Sequence, residues 1–278
     1  MSTWRKAARQ AWTELRISFA SGEPLTALLV PVIVLVIAWY LRDQAITASV
    51  LTVGQFILPG MVGAMVFFGG FAQVAGEIFS DRDDGTLLRM KCLPGGLRGY
   101  LAGKTLVVMA FNLILIAAYL IPATALFSGV GPNGPAAWLL LLGVTALGLA
   151  ATIPWGAILA CLVKTPIGLT LPFLLTYGLV AISGIFFPVT MLPSWLQAVV
   201  QTTPVYWLGL GMRAALLPDA ASAVEIAGSW RIAETLAVLG VWTLVGLAIA
   251  PVLLRRMIRG ESGARLTATR ERLLTRGY

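Results

Sequence analysis

The sequence contains no histidine and only two cysteines, Cys92 and Cys161. A structural zinc site needs several Cys or His ligands, so no metal-binding residue is predicted. A disulfide framework needs several cysteine pairs, so none is predicted either. Charged residues make up only 12% of the chain, whereas 58% is hydrophobic. A soluble globular protein of this composition could not cover its surface with polar side chains. These absences exclude a soluble enzyme and a disordered chain, and they leave a membrane protein with several spans.

Long uncharged apolar runs are what the sequence has instead. A helix needs about 20 apolar residues to cross a hydrocarbon core ~30 Å thick, and six runs are long enough. We therefore predict an all-α membrane protein in which residues 1–278 form one transmembrane domain with a six-helix bundle. No charged residue lies near the centre of a span, which argues against transport driven by protons or sodium. The predicted spans are approximately 24–41, 53–76, 104–127, 136–163, 167–187 and 235–254.

The basic residues predict the orientation of the bundle. With the N-terminus in the cytoplasm, 17 of the 20 Lys and Arg residues fall in predicted cytoplasmic segments. The positive-inside rule therefore predicts that both termini are cytoplasmic, and the Arg-rich composition suggests a bacterial inner membrane. Topology accounts for the net charge of +8, so no nucleic-acid partner is expected. The basic tail, residues 255–278, is open to three interpretations: it binds anionic lipid, it contacts a partner protein, or it only sets the topology.

Residues 1–23, before the first span, have the pattern of an amphipathic helix. Trp4, Trp12 and Phe19 fall on one face, and Arg5 and Arg9 lie on the other. Aromatic and basic residues on opposite faces are typical of a helix that lies in the membrane interface. The alternative is a solvated basic leader that only fixes topology.

The predicted cytoplasmic loop, residues 77–103, contains a second short amphipathic helix. Asp84 is expected to cap its start, and Pro94 ends it. An apolar helical turn in the cytoplasm indicates docking to a partner, or packing back onto the bundle or the lipid surface. The nearby Gly99–Thr105 run resembles the end of a phosphate-binding loop, but Arg98 occupies the position of its first glycine, so no ATP site is predicted. The apolar residues of the helix are Leu87, Leu88, Met90 and Leu93.

The outer segment, residues 188–234, is interrupted by prolines yet rich in apolar and aromatic residues. Its helical runs are too short to cross a membrane, so we expect short helices that dip into the outer leaflet or cap the bundle. The segment is interpreted as an outer gate or as a passive cap, and Gly184 is expected to lie on a pathway if the fifth span lines one. The candidate gate residues are Phe186, Phe187, Pro188, Leu192, Pro193 and Trp195.

Two stretches carry a resemblance to a known family. The first is Glu77 followed by DDGTLLRMKCLP (83–94) and LAGK (101–104), and the second is ISGIFFPVTMLPSWLQAVVQTTPVYWL (182–208). With the six-span pattern and the N-terminal helix, the chain resembles the permease subunits of type-2 ATP-binding-cassette exporters, the class that includes daunorubicin-type drug exporters. The resemblance extends over nearly the whole chain.

The resemblance implies a permease that dimerises, as a homo- or heterodimer, and that binds separate ATPase subunits through its first cytoplasmic loop. The chain itself would have no catalytic residue, while the partner would bind ATP and Mg. The family commonly has an acidic residue after its Gly-Thr-Leu motif, whereas this chain has Leu88 there. The residues expected to couple to the ATPase are Glu77, Asp84, Gly85, Thr86, Leu87, Leu88, Met90 and Leu93.

Uncharged spans indicate that the cargo is hydrophobic or amphipathic, such as a drug or a lipid-like molecule. A different class of function also fits the sequence: a non-transporting membrane scaffold or receptor that recruits a soluble partner through the 77–103 loop. A membrane enzyme fits less well, because the spans offer few catalytic groups.

Overall fold

The computed structural model describes residues 3–46, 51–91 and 96–260. Within these ranges the chain forms α-helices joined by short turns, with no β-sheet, which confirms the predicted all-α membrane fold. The helices are α1 (Thr3–Ala20), α2 (Glu23–Tyr40), α3 (Val53–Phe68), α4 (Val74–Asp83), α5 (Thr86–Lys91), α6 (Gly96–Leu126), α7 (Pro135–Leu162), α8 (Pro166–Ile182), α9 (Ser194–Gln201), α10 (Pro204–Leu216) and α11 (Ile232–Gly260).

Five helical stretches among the described residues are long and apolar enough to cross a membrane. They are α2, the continuous stretch Val53–Asp83 that contains α3 and α4, the greater part of α6, α7, and α11 as far as Met257. α8 is apolar but has only 17 residues. It ends at Ile182, before the predicted limit of 187, because Ser183 and Gly184 turn the chain and Gly184 has a φ of +78°.

The stretch from α3 to α4 is one helix with a widened turn. Residues Gly69–Gln73 form a π-helical segment, in which each hydrogen bond spans one extra residue. Gly69 and Gly70 lie against the Asn112 side chain of α6 and the Thr152 side chain of α7, where any Cβ atom would clash. The absence of two side chains therefore lets three helices meet closely at this point.

The predicted 77–103 loop is mostly helical, which corrects our sequence-based boundaries. α4 continues to Asp83, α5 follows after one turn, and α6 begins at Gly96. Hydropathy marks only the part of a helix that fits the hydrocarbon core, so charged turns beyond it are read as loop. Residues 92–95, which include the predicted docking residue Leu93, lie outside the described part of the chain.

The predicted short helices of the outer segment are α9 and α10. α10 lies inside the bundle against α3 and α7, and most of its residues are buried. Close approach requires glycine: a Cβ on Gly63 of α3 would lie 2.8 Å from the backbone nitrogen of Gly209. α10 is therefore part of the core beside α3, whereas α5 follows the other end of the helical stretch Val53–Asp83. These two regions are called the α10 end and the α5 end below.

The remaining helices frame this core. α1 packs along α6, and the rings of Phe19 and Phe111 meet edge to face, with centroids 6.1 Å apart. Along α2, α8 and α11, large apolar side chains remain exposed, including Leu25, Leu171 and Leu244. Such faces are suited to contact with lipid tails or with another membrane protein. The tail beyond Gly260 lies outside the described residues.

Candidate coupling and transport site

A polar cluster joins α4 to α6 at the α5 end. The Lys104 Nζ atom lies 3.0 Å from Glu77 Oε2 and 3.1 Å from Asp81 Oδ2, and the lysine side chain is only 13% exposed. Removing the lysine would leave two poorly hydrated carboxylates without their counter-ion. Lys104 thus ties the start of α6 to successive turns of α4.

Three further residues extend the polar cluster. The Tyr100 hydroxyl donates to Asp81 Oδ2 at 2.5 Å, and Gln73 Nε2 donates to Glu77 Oε1 at 2.8 Å. Glu14 on α1 places its Oε2 atom 4.0 Å from Lys104 Nζ. The cluster therefore connects α1, the π-helical segment, α4 and α6. Sequence reasoning identified Glu77 by resemblance but missed Lys104, Asp81 and Tyr100; the i, i+4 spacing of Glu77 and Asp81 was the available signal.

The turn between α4 and α5 corrects the predicted role of Asp84. Its backbone N–H donates to Ser80 O at 2.9 Å, so Asp84 closes the C-terminal end of α4 and does not cap α5. Gly85 follows with a φ of +72°, a conformation that glycine adopts without strain. The prediction was wrong because an aspartate can stand at either helix boundary, and the sequence alone does not separate two helices that abut.

α5 packs back onto the protein with one face. Leu87 is only 2% exposed and belongs to the core, while Thr86, Leu88 and Met90 are half-buried. Arg89, Asp83 and Asp84 are exposed, and Arg89 Nη2 donates to Thr86 Oγ1 at 3.0 Å. Because α5 contacts α4, α6 and α11, a force on its exposed face reaches several helices.

Arg82 fastens the same region to α7. Its Nη1 atom donates to the carbonyl oxygens of Val163 at 2.9 Å and Ala160 at 3.2 Å, at the C-terminal end of α7. Helix C-termini present unpaired carbonyls and a partial negative charge, which an arginine satisfies. The guanidinium also lies 4.9 Å from the centre of the Phe79 ring. Sequence reasoning counted Arg82 only as a topology signal.

A cleft of about 370 Å³ opens between α2, α3 and α6. Its walls are mostly apolar, and Glu23 is the one charged residue among the described residues that line it. Phe68 and Tyr177 form one side, with ring centroids 4.9 Å apart. A volume of this size accommodates a small organic ligand. The lining residues are Glu23, Thr26, Ala27, Val30, Pro31, Met61, Met65, Phe68, Gly69, Ala72, Gln73, Phe111, Asn112, Leu115 and Tyr177.

A second cleft, of about 510 Å³, lies between α6 and α7. No charged side chain is found among the described residues that line it, and its walls include Leu113, Trp138 and Leu142. These side chains are at least 40% exposed, so the cleft is part of an apolar outer surface.

The α10 end holds a fully buried ion pair that sequence reasoning did not identify. Arg213 Nε lies 2.6 Å from Glu225 Oε1, and both side chains have at most 1% exposure. Arg213 Nη1 also donates to Gly184 O at 3.0 Å, and the guanidinium lies 4.6 Å from the centre of the Phe56 ring. One side chain of α10 thereby joins α3, the turn after α8, and the segment that precedes α11.

The predicted gate residues follow directly after this turn. Pro188 is buried, Phe186, Phe187 and Leu192 are half-buried, and Pro193 is exposed. Trp195 is 67% exposed on α9. The six residues therefore differ widely in burial, and their role as a gate stays a prediction. Gly184 is enclosed, because a Cβ there would clash with Val189, so its surroundings indicate a packing role more than a pathway role.

A family model described as ABC-2 family transporter protein matches residues 41–251. The matched range includes the polar cluster except Glu14, together with α5 and α10, but it begins after α1 and Glu23. Among proteins with curated descriptions, none matches this chain.

Proposed function

The chain belongs to the ABC-2 family of transporter proteins, and from this premise we propose that it moves a hydrophobic or amphipathic molecule out of the cell with energy from a separate ATPase subunit. The family is one of membrane-spanning transport subunits that are not typically catalytic, which supports a role as a permease. In this proposal ATP and Mg are bound by the partner, and a second permease completes the transporter.

The observation that carries the proposal is the way α5 is held. Its apolar face packs on α4, α6 and α11, while Asp83, Asp84 and Arg89 remain exposed around the turn before it and along its outer face. An exposed charged surface on a firmly anchored short helix is suited to receive a soluble partner. We place this end of the bundle in the cytoplasm, because most Lys and Arg residues fall in segments on that side.

In this proposal the ATPase subunit contacts the exposed charged residues at α5, while the buried Leu87 anchors α5 to the bundle. Movement of α5 reaches α4 directly, and α4 transmits it through two contacts: the ion pairs of Lys104, and the hydrogen bonds of Arg82 to the end of α7. The π-helical segment at the other end of α4 lies beside the first cleft. Closure of the ATPase subunits would thus alter the cleft in which the cargo binds.

The outer gate is part of the same proposal. The candidate residues Phe186, Phe187, Pro188, Leu192, Pro193 and Trp195 follow the turn whose Gly184 carbonyl accepts from Arg213. Because Arg213 also binds Glu225, a movement of α10 would displace this turn and the residues after it. Cargo would leave the bundle on this side.

Co-purification tests the proposed partner. We expect a nucleotide-binding subunit to accompany the protein when it is purified in mild detergent from its native membrane, and we expect the complex to hydrolyse ATP. The double variant Asp84→Lys/Arg89→Glu reverses two exposed charges and should reduce recovery of that subunit at least about tenfold, equivalent to about 1.4 kcal/mol of binding. Leu87→Asp is a poor test, because a buried charge would unfold the helix.

Asp43→Lys is the matched control, since Asp43 is exposed on the loop after α2 and should leave recovery unchanged. A stable variant that retains the subunit fully would remove the docking assignment. A clean preparation without ATPase, from membranes where the candidate subunit is expressed, would instead favour a scaffold that recruits some other protein through α5.

A further inference from the structure

We propose that the cleft between α2, α3 and α6 selects amphiphilic cations. The positive group lies at the Glu23 end, and the apolar body lies between the methionine and aromatic side chains. The inference rests on the proposed transport function, because it names the chemical class of the cargo. It concerns residues of α2 that lie before the range matched by the family model.

The walls of the cleft suit a bulky apolar body. Met61 and Met65 contribute flexible, polarisable side chains that adapt to different shapes. Phe68 and Tyr177 present a pair of aromatic rings, and aromatic faces attract organic cations. The cleft thus offers both apolar contact and a surface that favours positive charge.

The charge of the cleft has one sign. Glu23 is its only charged lining residue in the part of the chain that the structure describes, and no described Lys or Arg forms an ion pair with it. A cationic group beside Glu23 would gain a direct electrostatic contact. An anionic group would meet repulsion without a compensating lysine or arginine among the described wall residues.

The negative charge continues beyond Glu23. Gln73 lines the cleft and donates to Glu77, which is close enough to Glu23 for the two carboxylates to repel each other. In the polar cluster the Lys104 ammonium is shared by the carboxylates of Glu77 and Asp81, so two carboxylates face one lysine. Fields from such groups add within a low-dielectric cleft and raise the local concentration of cations.

The second cleft provides an internal contrast. Its described walls contain no charged side chain, so apolar contact alone would not distinguish a cation from an anion there. Selection by charge is therefore a property that Glu23 gives to the first cleft. A neutral lipid tail would occupy either cleft, but an anionic phosphate finds no basic partner among the described residues that line the first.

Tetraphenylphosphonium and tetraphenylborate are suitable probes, because they have nearly the same shape and opposite charge. Equilibrium binding of each radiolabelled ion is measured on the intact permease complex in lipid nanodiscs, with empty nanodiscs subtracted. We expect Glu23→Gln to weaken binding of the cation about tenfold and to strengthen or leave unchanged binding of the anion. Glu23→Asp, which keeps the charge, should restore most of the cation binding.

Two controls separate charge from packing. Asp43→Asn removes an exposed carboxylate on the loop after α2 and should change neither ion. Leu115→Trp fills the cleft and should weaken binding of both ions to a similar extent. The proposal is overturned if Glu23→Gln weakens binding of both ions equally, or if it leaves the ratio of cation to anion binding unchanged.

The readout also separates this inference from the function on which it rests. A complex that keeps its ATPase subunit and hydrolyses ATP, yet shows no charge preference at Glu23, would leave the transporter in place and remove the cation class. Loss of the ATPase subunit altogether would remove the transport function, whatever the probes bind. Thermal unfolding of Glu23→Gln is followed in parallel, because Glu23 also lies in the first turn of α2, where negative charge stabilises the helix.

Discussion

Ion pairs hold the two ends of the bundle in different ways. At the α10 end one arginine meets one glutamate, both fully buried, and the arginine also binds a carbonyl and lies over a ring. At the α5 end one lysine is shared by several carboxylates and remains partly exposed to solvent. A buried pair has one favourable arrangement, whereas a shared lysine keeps a partner when the helices shift. The comparison indicates that α10 moves together with the segments bound to Arg213, whereas the contacts at the α5 end can rearrange.

The largest effect is expected from breaking the buried pair. Glu225→Gln leaves the Arg213 charge without its carboxylate inside the protein, which should lower the free energy of unfolding by about 3–5 kcal/mol. Thermal unfolding in detergent measures the loss. The double variant Arg213→Met/Glu225→Leu removes both charges and should recover most of it, since neither residue then needs a partner. If Glu225→Gln unfolds at the wild-type temperature, the pair does not fix α10.

A smaller loss of stability is expected at the α5 end. Lys104→Met leaves Glu77 and Asp81 facing each other and should cost about 1–3 kcal/mol, because the site retains some contact with water. Coupling should suffer more than stability, so we expect cargo-stimulated ATP hydrolysis by the complex to fall while the protein still folds. Glu14→Gln, 4.0 Å from the same lysine, should change hydrolysis less. Normal stimulation in Lys104→Met would show that the shared lysine plays no part in coupling.

The smallest effect is expected from a partly exposed pair near the α10 end. Arg231 Nε and Glu234 Oε1 lie 3.7 Å apart, and the glutamate side chain is 52% exposed. Water already solvates the glutamate, and Arg231, which is 21% exposed, keeps its hydrogen bond to Gln201 Oε1, so Glu234→Gln should change the free energy of unfolding by less than about 1 kcal/mol. The same thermal measurement completes the series from buried to exposed. A loss as large as that of Glu225→Gln would mean that burial does not set the ranking.

The sequence predicted what depends on local composition. Apolar runs mark helices because a membrane requires each backbone group to be bonded within its own segment, and this requirement acts on consecutive residues. The α9 and α10 runs were recognised for the same reason. Helix ends that extend beyond the apolar core were not recognised. α4, for example, continues through charged residues to Asp83.

The sites that depend on residues far apart in the chain escaped prediction. Arg213 was counted only as a basic residue of an outer segment and Glu225 was not singled out, because nothing in their spacing signals that α10 is buried. The sequence around Arg82 did not indicate its carbonyl partners at the end of α7. The resemblance located Glu77 and α5, but it did not indicate that Leu87 faces inward while Arg89 faces outward. Tertiary packing determines these contacts, and no short stretch of the sequence specifies it.

The widened turn at Gly69–Gln73 has a consequence for the geometry of the whole helical stretch. An α-helix advances about 100° per residue, so one extra residue rotates everything after it by that angle relative to a regular helix. The positions that share a face before Phe68 therefore differ in phase by one residue from those that share it after Val74. As a result, the side of the helix that meets α10 and the side that carries Glu77 and Asp81 cannot be traced with a single periodicity.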